Sequence, residues 1–260
     1  MIPYFEPPAL HLPLGQKIDV FGVLSTVGVV VGALVAERMA KRDRLDLAPL
    51  RGVIPWLVGC GLVGAHAMHV FLYHPELLRQ DPWSVLRIWD GLSSTGGVLG
   101  ALGGLFFYFR RAGLEVTPYL NPLALGTAPG WAIARVGCFL VHDHPGVRTE
   151  FPLAVDFPVV PYGGPRHDLG LYDALWLLVI AAVLFALDRK KPGPGRLMGW
   201  LAVLYAPVRF AFDFLRASDL SFVDRRYAGL TPGQYVVVGL FVVGVWLLTR
   251  KAPQTGAQRS

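Results

Sequence analysis

The stretch Leu204-Tyr-Ala-Pro-Val-Arg209-Phe-Ala-Phe-Asp213-Phe-Leu-Arg216 decides the fold class, because it places three charges in a strongly apolar run that begins at Leu197. A charge at the centre of a bilayer-length segment costs about 2.5 kcal/mol or more, so it persists where something pairs with it or uses it. Spacings of four and three residues put Arg209, Asp213 and Arg216 on one face of a helix. This polar face predicts a site for an anionic ligand, with a salt bridge between helices as the alternative.

Composition indicates a polytopic membrane protein. Of the 260 residues, 53% are apolar and 16% charged, with a mean hydropathy of +0.47, whereas soluble domains are about a quarter charged. The net charge of +6 arises mostly in short loops, so we expect membrane orientation and no nucleic-acid partner. Cys60 and Cys138 lie in apolar segments and predict neither a disulfide framework nor a metal-spaced pair. The N-terminus has no basic region, so we expect no cleaved signal peptide.

The apolar runs predict an all-α, multi-pass protein with about seven transmembrane helices in one integral-membrane domain, residues 1–260. The predicted spans are Ile18–Ala36, Val53–Tyr73, Leu92–Phe109, Tyr119–Leu140, Gly170–Leu187, Leu197–Leu215 and Gln234–Leu248. The third is rich in glycine, which permits close helix packing in lipid. Gly96 and Gly97 have a second interpretation, since they could let the backbone approach a ligand.

The basic residues predict the orientation. The loops after spans one, three and five and the C-terminus hold 14 Lys and Arg, against 8 for the N-terminus and the other loops. By the positive-inside rule the N-terminus is periplasmic and the C-terminus cytoplasmic. The longest loop, 141–169, is then on the outer side, together with the ends of the spans that carry Arg135 and Arg209.

Arg135 has two interpretations. Its side chain could extend to the headgroups, or Arg135 and Arg209 could hold one phosphate between two helices. A lipid headgroup is the phosphate most available at this depth. Asp213 would pair with Arg209 or Arg216.

Histidines flank the outer loop. His142, Asp143 and His144 begin it, and His167 and Asp168 end it. The pattern is compatible with a metal site, but we favour a general base, with solvated loop histidines as the alternative. Two more histidines, His66 and His69, lie in span two, where we favour hydrogen bonds between helices over a functional role.

Four segments together resemble the bacterial prolipoprotein diacylglyceryl transferase family, and the similarity covers nearly the full length. The segments are Trp-Asp-Gly-Leu-Ser-Ser-Thr-Gly-Gly-Val-Leu-Gly, Ala-Arg-Val-Gly-Cys-Phe-Leu-Val-His-Asp-His-Pro-Gly with the following Phe-Pro-Leu-Ala-Val-Asp-Phe-Pro, Arg-His-Asp-Leu-Gly-Leu-Tyr-Asp-Ala-Leu, and Tyr-Ala-Pro-Val-Arg-Phe-Ala-Phe-Asp-Phe-Leu-Arg. Arg135 and Arg209 match the family's signature arginines, and Asp213 and Arg216 fall at its following Glu and Arg.

The resemblance implies transfer of a diacylglyceryl group from phosphatidylglycerol to the lipobox cysteine of a preprolipoprotein, with release of glycerol phosphate. It implies no metal or organic cofactor, and it places the protein in the bacterial inner membrane. The expected catalytic residues are Arg135, Arg209, His167, Asp143 and His142. The expected substrate-binding residues are Thr95, Gly96, Gly97, Gly137, Gly146, Asp213 and Arg216.

The sequence departs from the family pattern around this site. Thr95 stands where the family has His, Cys138 and Val141 stand at two Asn positions, and Asp143 replaces Glu. Further departures are Phe21 for Tyr and His66 for Arg. Because threonine cannot transfer a proton at neutral pH, His142, His144 or His167 would have to serve as the base. Two alternatives stay open: a paralogue that uses another acceptor, and a non-catalytic phospholipid-binding or transport protein.

Overall fold

The computed structural model describes residues 1–7, 9–11, 17–88, 91–220 and 225–250. The basic residues beyond 250 that entered the orientation count therefore lie outside the described part. The chain is mostly helical. Its helices are α1 Val20–Arg42, α2 Leu47–Met68, α3 Glu76–Gln80, α4 Ser94–Ala112, α5 Leu120–Val141, α6 Val159–Tyr162, α7 Leu169–Asp188, α8 Arg196–Phe212 and α9 Pro232–Thr249.

Helix ends follow local sequence signals. The side chain of Asp19 caps α1 by accepting from the backbone N–H of Phe21, and basic residues occupy the last turn, where they complement the helix dipole. Thr231 and Gln234 form a reciprocal capping box at the start of α9. Asp168 caps α7 through the N–H of Leu171 at 3.1 Å. These caps fix where the spans begin at the end of the bundle that carries the site.

Six helical segments in the described part of the chain are long and apolar enough to cross a membrane. They are Val20–Arg42, Leu47–Tyr73, Thr117–Val141, Leu169–Asp188, Arg196–Leu215 and Pro232–Thr249. The glycine-rich α4 is not among them, because glycine, serine and the arginines near its end lower its hydropathy. The structure therefore gives a multi-pass helical protein with six candidate spans.

Glycines bring the helices into close contact in two pairs. Between α1 and α5, a Cβ placed on Gly28 would lie 2.3 Å from the carbonyl oxygen of Gly130. Between α2 and α4, a Cβ on Gly100 would lie 2.0 Å from the carbonyl oxygen of Cys60. Neither position has room for a side chain, so these glycines set the backbone separation. The packing interpretation of the glycine-rich span holds at Gly100.

The segment 141–169, which the sequence predicts to be the outer loop, is folded rather than irregular. It contains β4 Pro145–Arg148, β5 Val155–Asp156 and β6 Arg166–Asp168, and the N-terminal β1 Ile2–Pro3 joins them in a sheet of order β1-β5-β6-β4. A hairpin of β2 Ala9–His11 and β3 Lys17–Asp19 precedes α1. An all-α fold is therefore a correct prediction for the bundle only, because period-two patterns of two to four residues are too short to detect in sequence.

Candidate functional site

Two arginines on different helices lie around one carboxylate. Arg135 on α5 and Arg209 on α8 are 1% and 5% exposed, and Asp173 on α7 is 2% exposed. The Nε atoms of Arg135 and Arg209 lie 3.4 and 3.7 Å from the same Oδ2 of Asp173. Burying two cations requires a counterion and hydrogen bonds, and Asp173 supplies the shared charge. Three helices thus bring together two guanidiniums.

The other edge of the Arg135 guanidinium meets only neutral acceptors among the described residues. Its Nη2 donates to Oγ of Ser94 at 3.1 Å, and its Nη1 donates to Nε2 of His144 at 3.3 Å and to Sγ of Cys138 at 3.7 Å. Charge-assisted hydrogen bonds are about twice as strong as neutral ones. A phosphate that displaced these three acceptors would therefore bind favourably at this edge.

Asp213 fixes the second arginine. Its Oδ1 accepts from Arg209 and from Nε of Arg216, the latter at 2.9 Å, and its Oδ2 accepts from Oγ1 of Thr231 at 2.5 Å. Because Thr231 also caps α9, Asp213 ties the end of α8 to the start of α9. Arg209, Asp213 and Arg216 thus form one connected network, but α8 ends at Phe212 and the backbone of Arg216 is extended, so the three charges do not lie on one α-helical face as predicted.

A small cavity of about 10 Å³, enough for roughly one water molecule, adjoins Arg209. Ser94, Thr95 and Arg209 are polar residues of its lining, and its apolar lining includes Val98 and Leu240. The cavity lies between α4, α5, α8 and α9. An amphiphile with a charged headgroup would bind here only if these helices moved apart.

The site also contains a group of potential metal ligands. Among the described residues, Cys138, Asp143 and His144 place their ligand atoms within 4.8 Å of one another. The Arg135 guanidinium contacts both the thiol and the imidazole of this group, so a metal ion would lie beside a fixed positive charge. The geometry therefore describes these side chains better as neighbours of Arg135 than as a metal centre.

Sequence comparisons identify the family. A family model described as prolipoprotein diacylglyceryl transferase matches residues 7–250. The chain belongs to this family. A phosphatidylglycerol–prolipoprotein diacylglyceryl transferase of Nitratidesulfovibrio vulgaris is 31% identical over 256 residues, which cover 95% of this chain and 94% of the relative. Relatives with the same name from Solidesulfovibrio magneticus and Agrobacterium fabrum are 30% and 28% identical and cover 99% and 97% of this chain, and 98% and 94% of their own length. The family predicted from the four sequence segments is confirmed.

The structure of this transferase brings six of the twelve predicted site residues together. Arg135, Arg209, Asp213 and Arg216 lie in the network described above, and Thr95 lines the adjoining cavity. Asp143 joins them through His144, since its Oδ1 lies 2.8 Å from Nδ1 of the imidazole.

The charges around Asp143 keep it ionised. Burial would raise the pKa of its carboxyl group, but the neighbouring His144, Arg135 and Arg216 outweigh burial and hold the pKa below its usual range. The rim of the site therefore carries a carboxylate at neutral pH.

His142 lies apart from the arginines. It is 4% exposed, and its Nδ1 lies 3.0 Å from Oδ2 of Asp168. Its ring packs against aromatic side chains, with the Phe5 centroid at 4.5 Å and the Phe157 centroid at 5.0 Å. Burial raises the pKa of Asp168, and the hydrogen bond from His142 opposes this rise. The pair connects β6, which contains Asp168, to the C-terminal end of α5, which His142 caps.

His167 also points away from the guanidiniums. Its Nδ1 lies 2.9 Å from Oη of Tyr172, and burial lowers the pKa of the imidazole. Among the described residues, it forms no hydrogen bond or ion pair with Arg135 or Arg209. Its backbone is close to the site, however, because a Cβ on Gly146 would lie 2.8 Å from the Cβ of His167.

Three of the four predicted glycines, Gly96, Gly137 and Gly146, lie at close contacts, whereas Gly97 has ordinary room for a Cβ. A Cβ on Gly96 would lie 2.4 Å from the carbonyl oxygen of Gly64, and one on Gly97 would lie 3.7 Å from the Cβ of Ala65, so both face α2. A Cβ on Gly137 would lie 3.2 Å from the Cα of Phe21 on α1, and one on Gly146 would lie 2.6 Å from the carbonyl oxygen of Leu215. Their positions place them in the packing around the site.

Sequence reasoning missed Asp173, Ser94 and the role of Arg166. A signal was available for Asp173, since it is an acid inside the apolar span Leu169–Asp188. Arg166 is 1% exposed and donates from Nη1 and Nη2 to Asp219 at 2.8 and 2.6 Å, and from Nη1 to the carbonyl oxygen of Gly146 at 3.0 Å. Arg166 therefore holds β6 against β4 and Asp219, and it is not part of the arginine cluster.

Proposed function

We propose that this chain transfers the diacylglyceryl group of phosphatidylglycerol to a cysteine thiol of a prolipoprotein. The arrangement of Arg135 and Arg209 around one carboxylate carries the proposal, because it offers two guanidiniums to one anionic group. The family comparison supports the donor and the acceptor, since the relatives are named for both.

The donor phosphate is proposed to bind between these guanidiniums. Arg135 would exchange Ser94, Cys138 and His144 for phosphate oxygens, while Asp213 keeps Arg209 aimed at the same group. The glyceryl moiety and the start of the acyl chains would enter toward Val98 and Leu240, and the helices around this small cavity would move apart to admit them. The arginines then stabilise the negative charge that grows on the leaving glycerol phosphate. Removing one such donor typically slows catalysis by about 10²- to 10³-fold.

The proposed setting is the bacterial inner membrane. Arg135 lies six residues before the end of α5, a depth of about 9 Å at 1.5 Å per residue. This depth fits a headgroup phosphate in the leaflet beside the outer sheet. We propose that α4 is a seventh span and that the N-terminus is periplasmic and the C-terminus cytoplasmic. The acceptor cysteine is proposed to lie in the lipobox of a preprolipoprotein signal peptide.

The test uses purified protein, phosphatidylglycerol vesicles and a lipobox peptide, with the peptide mass measured after incubation. The wild type should add one diacylglyceryl group to the peptide. Arg209→Ala should lose at least about 100-fold in rate. Arg196→Ala, at the opposite end of the same helix, is the matched control and should keep the wild-type rate. Equal rates for both variants would show that Arg209 does not bind the donor phosphate.

A protein that uses another acceptor is the second candidate, and the buried Thr95 at the family's His position favours it. In the same assay it would consume phosphatidylglycerol and leave the cysteine peptide unmodified. Transfer to the peptide removes this candidate together with the non-catalytic lipid-binding one.

A further inference from the structure

The described part of the proposed donor site holds a histidine in contact with Arg135. His144 lies three residues after the end of α5, and its side chain is 18% exposed. The backbone places it there, because His142 adopts φ of +50° and turns the chain back over the helix end. The carbonyl oxygen of His144 then accepts from the N–H of Leu169 at 3.1 Å. His144 is thus held between α5 and α7, directly beside Arg135.

The contacts of His144 define which nitrogen of the neutral ring carries the proton. Arginine can only donate, so Nε2 of His144, at 3.3 Å from Nη1 of Arg135, must accept with its lone pair. In the neutral ring the proton is then on Nδ1, which lies 2.8 Å from Oδ1 of Asp143, although the contact is not aligned as a hydrogen bond. A carboxylate behind Nδ1 and an unprotonated Nε2 facing the reaction centre are the arrangement of a general base.

We infer that His144 is the base that takes the proton of the acceptor thiol, an assignment that rests on the proposed function. When a phosphate oxygen replaces Nε2 as the acceptor of Arg135, the lone pair of Nε2 becomes available beside the glyceryl carbon. The thiol proton moves to Nε2, the sulfur forms a bond to that carbon, and the carbon–oxygen bond to phosphate breaks. The bonding electron pair leaves with glycerol phosphate, and His144 later gives its proton to water.

The other candidate groups are less suitable. Thr95 lines the cavity, but an alcohol does not accept a proton at neutral pH. Nδ1 of His142 is engaged by Asp168 within an aromatic cluster, and Nδ1 of His167 contacts Tyr172. Both rings are held away from the guanidinium that would bind the donor. Asp143 favours the imidazolium that forms on His144 and so offsets the repulsion from Arg135.

The test compares two nucleophiles in the vesicle assay. His144→Gln should slow transfer to a cysteine peptide about 10²- to 10⁴-fold at neutral pH. It should transfer to a selenocysteine peptide at close to the wild-type rate, because a selenol is already ionised at that pH and needs no base. The variant's rate on the cysteine peptide should also rise with pH toward the thiol pKa of about 8.5. His74→Gln, a histidine that contacts Glu76 on the surface, is the control and should match the wild type.

Two results would overturn the assignment. Unchanged transfer to the cysteine peptide would show that His144 takes no proton. Equal losses with both peptides would show that His144 only holds Arg135 in position. A rise in the unfolding temperature of His144→Gln on adding phosphatidylglycerol should show that the variant is folded and binds the donor, and its absence would count for the positioning role. If the wild type modifies neither peptide, the proposed function fails and the inference falls with it.

Discussion

Asp173→Asn removes the negative charge that Arg135 and Arg209 share while it keeps the shape of the side chain. Removing one partner of a buried ion pair costs about 3–5 kcal/mol. The two contacts, at 3.4 and 3.7 Å, are longer than the roughly 2.8 Å of a good charge-assisted hydrogen bond. Arg209 also retains Asp213. We therefore expect the lower end, about 3 kcal/mol.

The assay is thermal unfolding in neutral detergent. For a chain of this size 1 kcal/mol moves the midpoint by about 2–4 °C, so Asp173→Asn should lower it by about 6–12 °C. Phosphatidylglycerol should recover part of this loss, because a phosphate between the arginines supplies the missing negative charge. Phosphatidylcholine should recover less, since its headgroup carries no net charge.

Asp188→Asn is the matched control, at the other end of α7. Asp188 pairs with Arg42; the side chain of Arg42 is 43% exposed and that of Asp188 is 11% exposed. Because solvent reaches one partner and screens the pair, the midpoint should fall by less than that of Asp173→Asn and should not respond to phosphatidylglycerol differently from the wild type. Equal losses in the two variants, or no lipid effect on Asp173→Asn, would refute the shared-counterion argument.

Two further predictions concern packing and pH. Gly130→Val should lower the unfolding midpoint, because a Cβ there would lie 2.4 Å from a carbonyl oxygen of α1. Gly103 has open space around it, so Gly103→Val should leave the midpoint unchanged. Equal midpoints for the two variants would contradict the close packing of α1 and α5. Asp143 has a lowered pKa in the folded state, so its stabilisation is present above the unfolded pKa of about 3.9 and is lost as the pH falls through the folded value. Below about pH 4 the free energy of unfolding should therefore depend less steeply on pH in Asp143→Asn than in the wild type. Identical slopes would show that the Asp143 carboxylate does not stabilise the fold.

The bundle could be predicted from sequence because long apolar runs are a strong signal. Helix bounds were less accurate: the first span was predicted to end at Ala36, whereas α1 continues to Arg42. The extra turns carry Lys and Arg, which a hydropathy pattern excludes but a helix C-terminus accepts. The four-stranded sheet β1-β5-β6-β4 was not predictable, since its strands pair residues far apart in sequence, such as Ile2 with Val155.

The donor site was partly predictable because buried charge is costly wherever it occurs. That argument identified Arg135 and Arg209, and applied to Asp173 it would have identified their shared counterion. It could not separate His142 from His144, which are two residues apart. A single backbone angle at His142 sends one ring into an aromatic cluster and the other toward Arg135. Sequence spacing alone does not contain such a turn.

Cys138 raises the question of why a transferase that activates thiols would not modify its own. Its Sγ lies 3.7 Å from Nη1 of Arg135, so it contacts the guanidinium that we propose holds the leaving group. Displacement requires the nucleophile to approach the carbon from the side opposite the leaving oxygen. A thiol on the phosphate side is therefore not in line for displacement, whereas His144, which contacts the same Nη1, has to reach only the proton of the incoming thiol and not the axis of attack. The intact protein, incubated with phosphatidylglycerol and no peptide, should show no added diacylglyceryl mass. A stoichiometric adduct on Cys138 would mean that the phosphate binds on the other side of Arg135, and the donor orientation would have to be reversed.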